Sequence, residues 1–280
     1  MVYYLAVIKV SFLFLTLSSV AATALGAPER IVSINQCADE LLLNLADRRQ
    51  IRSVTHYVKD PATSWDAELA EGIPGNGSRV EEVLAHDPDL VLVGDFTTQA
   101  TVNLLVELGM EVMVIPHAKS LADVYRETAR LADKVGHPER GQAMIERMKR
   151  TIEYSPTGAP VRAVVYQPNG FTTGPNSLVD EVMSAAGLYN IAREVQQSEY
   201  GYFPLERLLW GNPELLILDP QTPTSPALAN QVLEHPALRG HFQSVATVTI
   251  PPQAWACGSQ HVAQAVELLR ASADRLRERS

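Results

Sequence analysis

Short, solid apolar runs alternate along this chain with longer stretches in which apolar positions recur every three or four residues. In the first half the runs are RIVSI (30–34), IRSVTHY (51–57), LVLVGD (90–95) and EVMVIPH (111–117). Continuous apolar, β-branched runs of this kind predict parallel strands covered on both faces. Between them, NQCADELLLNLAD (35–47), with Asn35 or Asp39 as its cap, and ATVNLLVELG (100–109), ending at Gly109, predict helices. Two helices then follow with no strand between them. The first spans 120–135 from a Ser120 cap; the second spans 138–154, opened by Pro138 and stopped before Pro156. Ile145, Met148 and Ile152 form an apolar stripe on the second, a rod of about 25 Å at ~1.5 Å per residue. The alternation restarts with a strand (161–167), a helix (177–187), a strand (215–219), a short helix (230–238), a strand (248–250) and a long amphipathic helix (261–279). This order predicts an α/β fold of two Rossmann-like lobes with parallel sheets, joined by a single long helix. The expected divisions are an amino-terminal lobe at 27–137, a linker helix at 138–157 and a carboxyl-terminal lobe at 158–280.

One pattern occurs twice. VEEVLAHDPDLVLVGD (80–95) aligns without a gap to LERLLWGNPELLILDP (205–220), glutamate on glutamate (Glu81, Glu206) and proline on proline (Pro88, Pro213). Each lobe therefore carries the same helix–proline–strand unit.

Composition narrows the class. The chain has 280 residues, of which 46% are hydrophobic and 20% charged, enough for a large core. A formal charge of −9 gives no bulk attraction to nucleic acid or anionic lipid. Residues 1–26 are apolar, with one lysine (Lys9) and no acid, and end in small residues that fit cleavage after Ala24 or Gly26. They are expected to be a cleaved export signal rather than a transmembrane anchor, which places the mature protein in a periplasm. No motif of a serine hydrolase, a zinc protease or a phosphate loop occurs.

Three segments resemble a known family. RIVSINQCADELLLNLA (30–46), VEEVLAHDPDLVLVG (80–94) and GFTTGPNSLVDEVMSAAGLYNIA (170–192) resemble the periplasmic substrate-binding proteins of ABC importers for iron–siderophore, haem and cobalamin. The resemblance covers essentially the whole mature chain. It implies a ligand cleft between two lobes bridged by one helix, a monomeric protein with no cofactor of its own, and a metal chelate as ligand. It also implies that Glu81 and Glu206 dock into arginine pockets on the two subunits of a membrane permease. Carboxylate–guanidinium pairs suit that task because they are bidentate and fix register. The plainer role of each glutamate is to complement the dipole of its helix.

Ligands of parallel α/β sheets sit beyond the carboxyl ends of strands. The residues expected there are Asn35, Gln36 and Cys37, then His56 and Tyr57, then Asp95 and Phe96, then His117. The second lobe adds Tyr166, Gln167 and Phe171, and Trp255 and Cys257 follow its last strand. Tyr57, Phe96, Phe171 and Trp255 are candidate aromatic walls, each with burial in the core as the ordinary alternative. The resemblance places Phe171 and Trp255 among the cleft aromatics of the cobalamin-binding members. No cluster of basic residues lies among these positions, which favours cobalamin or a neutral chelate over a highly anionic siderophore.

His56 and His117 raise the alternative of a bare metal-ion binder, for which no third cleft histidine is evident; His86, His137 and His235 each lie within two residues of a proline. An exported enzyme using Cys37 would need a base that the sequence does not supply. Cys37 and Cys257 are expected to face each other across the cleft as two free thiols near the ligand, in preference to a disulfide.

Overall fold

The computed structural model describes residues 26–153, 158–218 and 245–279. The expected export signal and the expected helix at 230–238 lie outside them. The first lobe holds a five-stranded parallel sheet: β1 (Ile31–Ser33), β2 (Ile51–Thr55), β3 (Gly75–Asn76), β4 (Leu90–Gly94) and β5 (Glu111–Ile115) in the order β3-β2-β1-β4-β5. β4 is buried along its whole length, as its unbroken apolar run requires. The covering helices are α1 (Gln36–Leu45), α2 (Val80–Leu84) and α3 (Gln99–Glu107). Of the two candidate caps of α1, Asn35 performs the role, accepting from the Ala38 amide at 3.0 Å.

Asp39 instead turns into the core, where its carboxylate takes the Thr55 amide and hydroxyl. Burial pushes its pKa from the ordinary 3.8 up to about 7, against the opposing hydrogen bonds of Ser33 and Thr55. An acid raised in this way stabilises the fold fully below its unfolded pKa and loses that contribution as pH climbs towards 7. Asp39→Asn keeps an oxygen for both Thr55 donors, so wild type and variant should melt alike at pH 4 and the variant should melt higher at pH 8. A wild type that gains on the variant with rising pH would contradict this.

α4 (Leu121–Lys134) and α5 (Pro138–Ile152) follow without an intervening strand, as the sequence predicts, with Ser120 capping α4 and Pro138 opening α5. They cross closely: a Cβ on Gly141 would lie 2.4 Å from the Cβ of Ala132. The second lobe contains a parallel sheet of β6 (Val161–Val165), β8 (Leu188–Asn190), β10 (Leu215–Leu218) and β11 (Ala246–Thr249), ordered β11-β10-β6-β8. An antiparallel pair, β7 (Phe171–Thr173) and β9 (Tyr200–Tyr202), stands beside it. Helices α6 (Leu178–Ala185), α7 (Leu205–Trp210) and α8 (Val262–Arg277) complete the described elements. Among the described residues no helix is long and apolar enough to cross a membrane.

One continuous core runs through both lobes, from Ile31 and Leu92 through Leu131, Met144 and Met148 to Val182, Ile217 and Val266. Arg270 of α8 binds the Thr151 and Ile152 carbonyls at the end of α5 and the Ala185 carbonyl of α6. Opening the lobes by a wide hinge would break this core. Small-angle scattering should therefore give the same radius of gyration with and without ligand; a fall of several ångströms would contradict the shared core.

Candidate ligand cleft

The carboxyl ends of the two sheets face each other, and the side chains that meet there come from loops and strands of both lobes. On the second lobe, antiparallel pairing sets Phe171 opposite Tyr202 and Thr173 opposite Tyr200. Tyr200 and Tyr202 are two apart on a strand and so share a face. The Phe171 ring lies parallel to Tyr200 at 6.0 Å and edge-on to Tyr202 at 6.1 Å. On the first lobe, Phe96 follows β4 and is 83% exposed, and it matters because it joins other exposed rings in one apolar surface. Its ring is 6.1 Å from His117, which is 6.2 Å from Tyr200. Aromatic surface thus runs from one lobe to the other.

His117 is the link. Its amide donates to Asp95 at 2.9 Å. Its Nε2 lies 2.9 Å from Glu199 Oε1 and 2.8 Å from the Tyr200 hydroxyl, and Lys119 reaches the other Glu199 oxygen at 3.4 Å. Burial and the adjacent Glu199 carboxylate push the Tyr200 phenol up to about 12. Tyr200 is therefore a hydrogen-bond donor at any physiological pH. These polar contacts span the lobes, and a ligand entering here exchanges them for its own.

Behind the rings lies a cavity of about 240 Å³ lined by His117, Gln167, Phe171, Thr173, Ser177, Tyr200 and Trp255. A smaller pocket, formed by Asn35, Cys37, Asp95, Phe96 and Gly258 among others, shares His117 with it. A larger hollow of about 530 Å³, lined by Asp47, Gln50 and His137 among others, opens at the amino-terminal edge of the first sheet, away from the rings. It has no aromatic wall.

The residues expected at the cleft divide clearly. Asn35, Asp95, Phe96, His117, Gln167, Phe171 and Trp255 line the two joined pockets. Trp255 lines the larger of the two and, at only 6% exposed, is largely buried in the core rather than an open wall. Gln36 donates to the Thr63 carbonyl at 2.7 Å and braces a loop. His56 and Tyr57 are exposed at the end of β2 and line neither pocket. Tyr166 is a core residue, buried with Phe203, Leu208 and Ile191. Glu199, Tyr200 and Tyr202 were not expected; they stand on or beside β9, a strand of only three residues.

Cys37 and Cys257 form a disulfide with their Cα atoms 5.0 Å apart. This corrects the expectation of two free thiols, which assumed a cleft open down to its base. The base is instead closed: a Cβ on Gly258 would lie 2.5 Å from that of Ala118, and Ser259 binds Glu40 across the lobes at 2.7 Å. That contact brings the two cysteines within bridging distance.

Glu81 and Glu206 each occupy the first turn of the repeated helix, α2 and α7, and both are exposed. In α2 the capping contact comes from Glu82, whose carboxylate accepts from the Arg79 amide at 3.4 Å and from the Gly77 amide at 2.6 Å. Glu81 and Glu82 both lie in the first turn of α2, so both complement its dipole.

A family profile described as "Periplasmic binding protein" matches residues 31–245. The chain belongs to the periplasmic binding protein family. The family's members bind ligands rather than transform them. A cobalamin-binding protein of Halobacterium salinarum is 28% identical over 207 residues, 71% of this chain and 56% of that protein. The chain therefore spans little more than half the length of that relative. Among solved structures, the vitamin B12 binding protein BtuF of Vibrio cholerae superposes with a TM-score of 0.66 at 16% identity, covering 90% of this chain and 98% of that one. The haem-binding protein RhuT of Roseiflexus sp. RS-1 superposes at 0.71 with 20% identity, covering 90% and 100%. At identities this low the superpositions establish the shared fold alone.

Proposed function

We propose that this protein captures a corrinoid of the cobalamin class in the periplasm and delivers it to the permease of an ABC importer. The observation that carries the reading is the aromatic strip of Phe96, Phe171, Tyr200 and Tyr202, which crosses the cleft beside a single lysine, Lys119, already held by Glu199. A broad macrocycle with amide side arms needs stacking surface and scattered donors, and a polyanionic chelate needs several cations. The cobalamin-binding relative supports the same choice. Haem is the second reading, favoured by the meeting of His117 and Tyr200, either of which suits an axial position on iron.

Absorbance titrations with cyanocobalamin and with haemin distinguish the two. Cyanocobalamin should bind one to one. Phe171→Ala and Tyr200→Ala should each weaken it by about tenfold to a hundredfold, the usual effect of removing a central aromatic contact. Tight binding of haemin alone, lost in Tyr200→Phe or His117→Ala, would replace the corrinoid reading.

For delivery, Glu81 and Glu206 are the proposed docking groups. Each has an exposed apolar companion on its helix, Leu84 (42% exposed) three residues after Glu81 and Trp210 (76%) four after Glu206. Three- and four-residue spacings share a helix face. Each lobe thus presents a carboxylate beside an apolar contact, on units that match in sequence, as a partner with two equivalent subunits requires.

A further inference from the structure

Beside the disulfide lies a buried polar cluster that ligand capture does not use. Glu40 of α1, Asp66 of the segment between β2 and β3, and His261 at the start of α8 are 1%, 5% and 6% exposed. Each offers one ligating atom, and these three atoms all lie within 4.8 Å of one another. We infer that Glu40, Asp66 and His261 form a binding site for a divalent transition-metal ion, with zinc the best fit, that clamps the two lobes together at the base of the cleft.

Charge balance comes first. Two carboxylates are buried here, and among the described residues neither is paired with a lysine or arginine; the one ion pair is Asp66 with His261. Glu40 has no ion-pair partner among the described residues, and a buried carboxylate in that position is relieved either by protonation or by a metal ion. Spacing is the second point. Asp66 Oδ2 and His261 Nε2 are 3.0 Å apart. Zinc bonds of about 2.0–2.2 Å in a tetrahedron place ligand atoms roughly 3.3–3.5 Å from each other, so this pair needs only a small adjustment.

The surroundings supply what a metal site needs beyond its ligands. Gln264 Oε1 is 3.4 Å from His261 Nδ1, on the side that leaves Nε2 turned inward. Ser259 holds one Glu40 oxygen at 2.7 Å and Ser64 approaches the other at 3.4 Å. Such outer contacts orient metal ligands. An independent observation concerns Gln260. Its Nε2 lies 3.1 Å from both Asp66 Oδ2 and His261 Nε2, while its Oε1 is buried with no partner. Turning the amide over places its oxygen beside the cluster as a fourth donor to an ion and moves Nε2 to the partnerless position. An approach exists as well: His261 borders an open groove lined by Trp65, Gln264 and Glu267. The mixed nitrogen and oxygen donor set suits zinc, cobalt or nickel over calcium or magnesium.

The test uses the full exported chain, stripped by chelator and kept oxidised. Equilibrium dialysis against Zn²⁺ with elemental analysis should give one tightly held ion per chain. Thermal melts should rise by several degrees with saturating Zn²⁺, as ligand linkage requires. Co²⁺ should give the visible bands of a four-coordinate site. His261→Ala and Glu40→Gln should each weaken binding at least a hundredfold, and Gln260→Ala by less, while His56→Ala and His117→Ala leave it unchanged. Absence of stoichiometric binding by the wild type would overturn the proposal. So would retention in His261→Ala and Glu40→Gln, or loss in His117→Ala, which would assign the ion to the cleft. If a variant fails to fold, the Co²⁺ spectrum of wild type decides: octahedral, weakly absorbing Co²⁺ overturns the site. None of these readouts involves cyanocobalamin, so the site stands or falls separately from the corrinoid reading.

Discussion

Glu81→Arg and Glu206→Arg each abolish ligand uptake by cells while the purified variants bind ligand as tightly as wild type. This is the expected result if the two repeated helices are the permease contacts. Both carboxylates are solvent-exposed, and neither lines the cleft pockets. Reversing a docking charge that faces a guanidinium replaces an attraction by a repulsion, at a cost of about 2–5 kcal/mol for a desolvated pair. Because the two helices stand on different lobes, one reversal leaves a complex anchored at one end only. The double variant Glu81→Gln/Glu206→Gln should also fail in uptake, without the repulsion. Uptake at wild-type rates in both arginine variants would remove the docking assignment. Loss of ligand binding in both would move the glutamates to the binding site or the fold.

Removing the disulfide should produce the largest stability change. Cys37 and Cys257 are 220 residues apart. Closing a loop of that length restricts the unfolded chain by about 5 kcal/mol on the chain-entropy account, and measured gains usually fall to about 2–4 kcal/mol. At roughly 2–4 °C per kcal/mol for a chain of this size, Cys37→Ser/Cys257→Ser should melt about 5–15 °C lower. The denatured, unreduced wild type should show no titratable thiol. Two free thiols, or identical melting of oxidised and reduced protein, would contradict a permanent bridge.

Much of this architecture was legible because strong local signals agreed. The solid runs at 90–94 and 161–165 became buried parallel strands, Ser120 and Pro138 opened the helices they were expected to open, and the repeated unit appeared once on each lobe. What escaped depended on partners distant in sequence. β7 and β9 are three residues each and pair only with one another, so neither has a periodic signature long enough to read. Tyr200 and Glu199 therefore escaped notice although they close the cleft with His117. His261 reads as the first residue of an amphipathic helix; its meeting with Asp66, 195 residues earlier, is a product of lobe packing. Tyr166 failed in the opposite sense. It follows a strand as a cleft residue should, yet its ring turns into the core with Phe203 and Leu208. Position after a strand names the loop, but the neighbouring elements decide which way a side chain points.

The central claim is the identity of the captured ligand. Native mass spectrometry of the protein as exported by the cells that make it, with an absorbance spectrum of the same sample, tests it most directly. The account predicts a one-to-one adduct of corrinoid mass with corrin absorption bands. A porphyrin adduct with an intense Soret band, or a ferric chelate with its charge-transfer band, would contradict it.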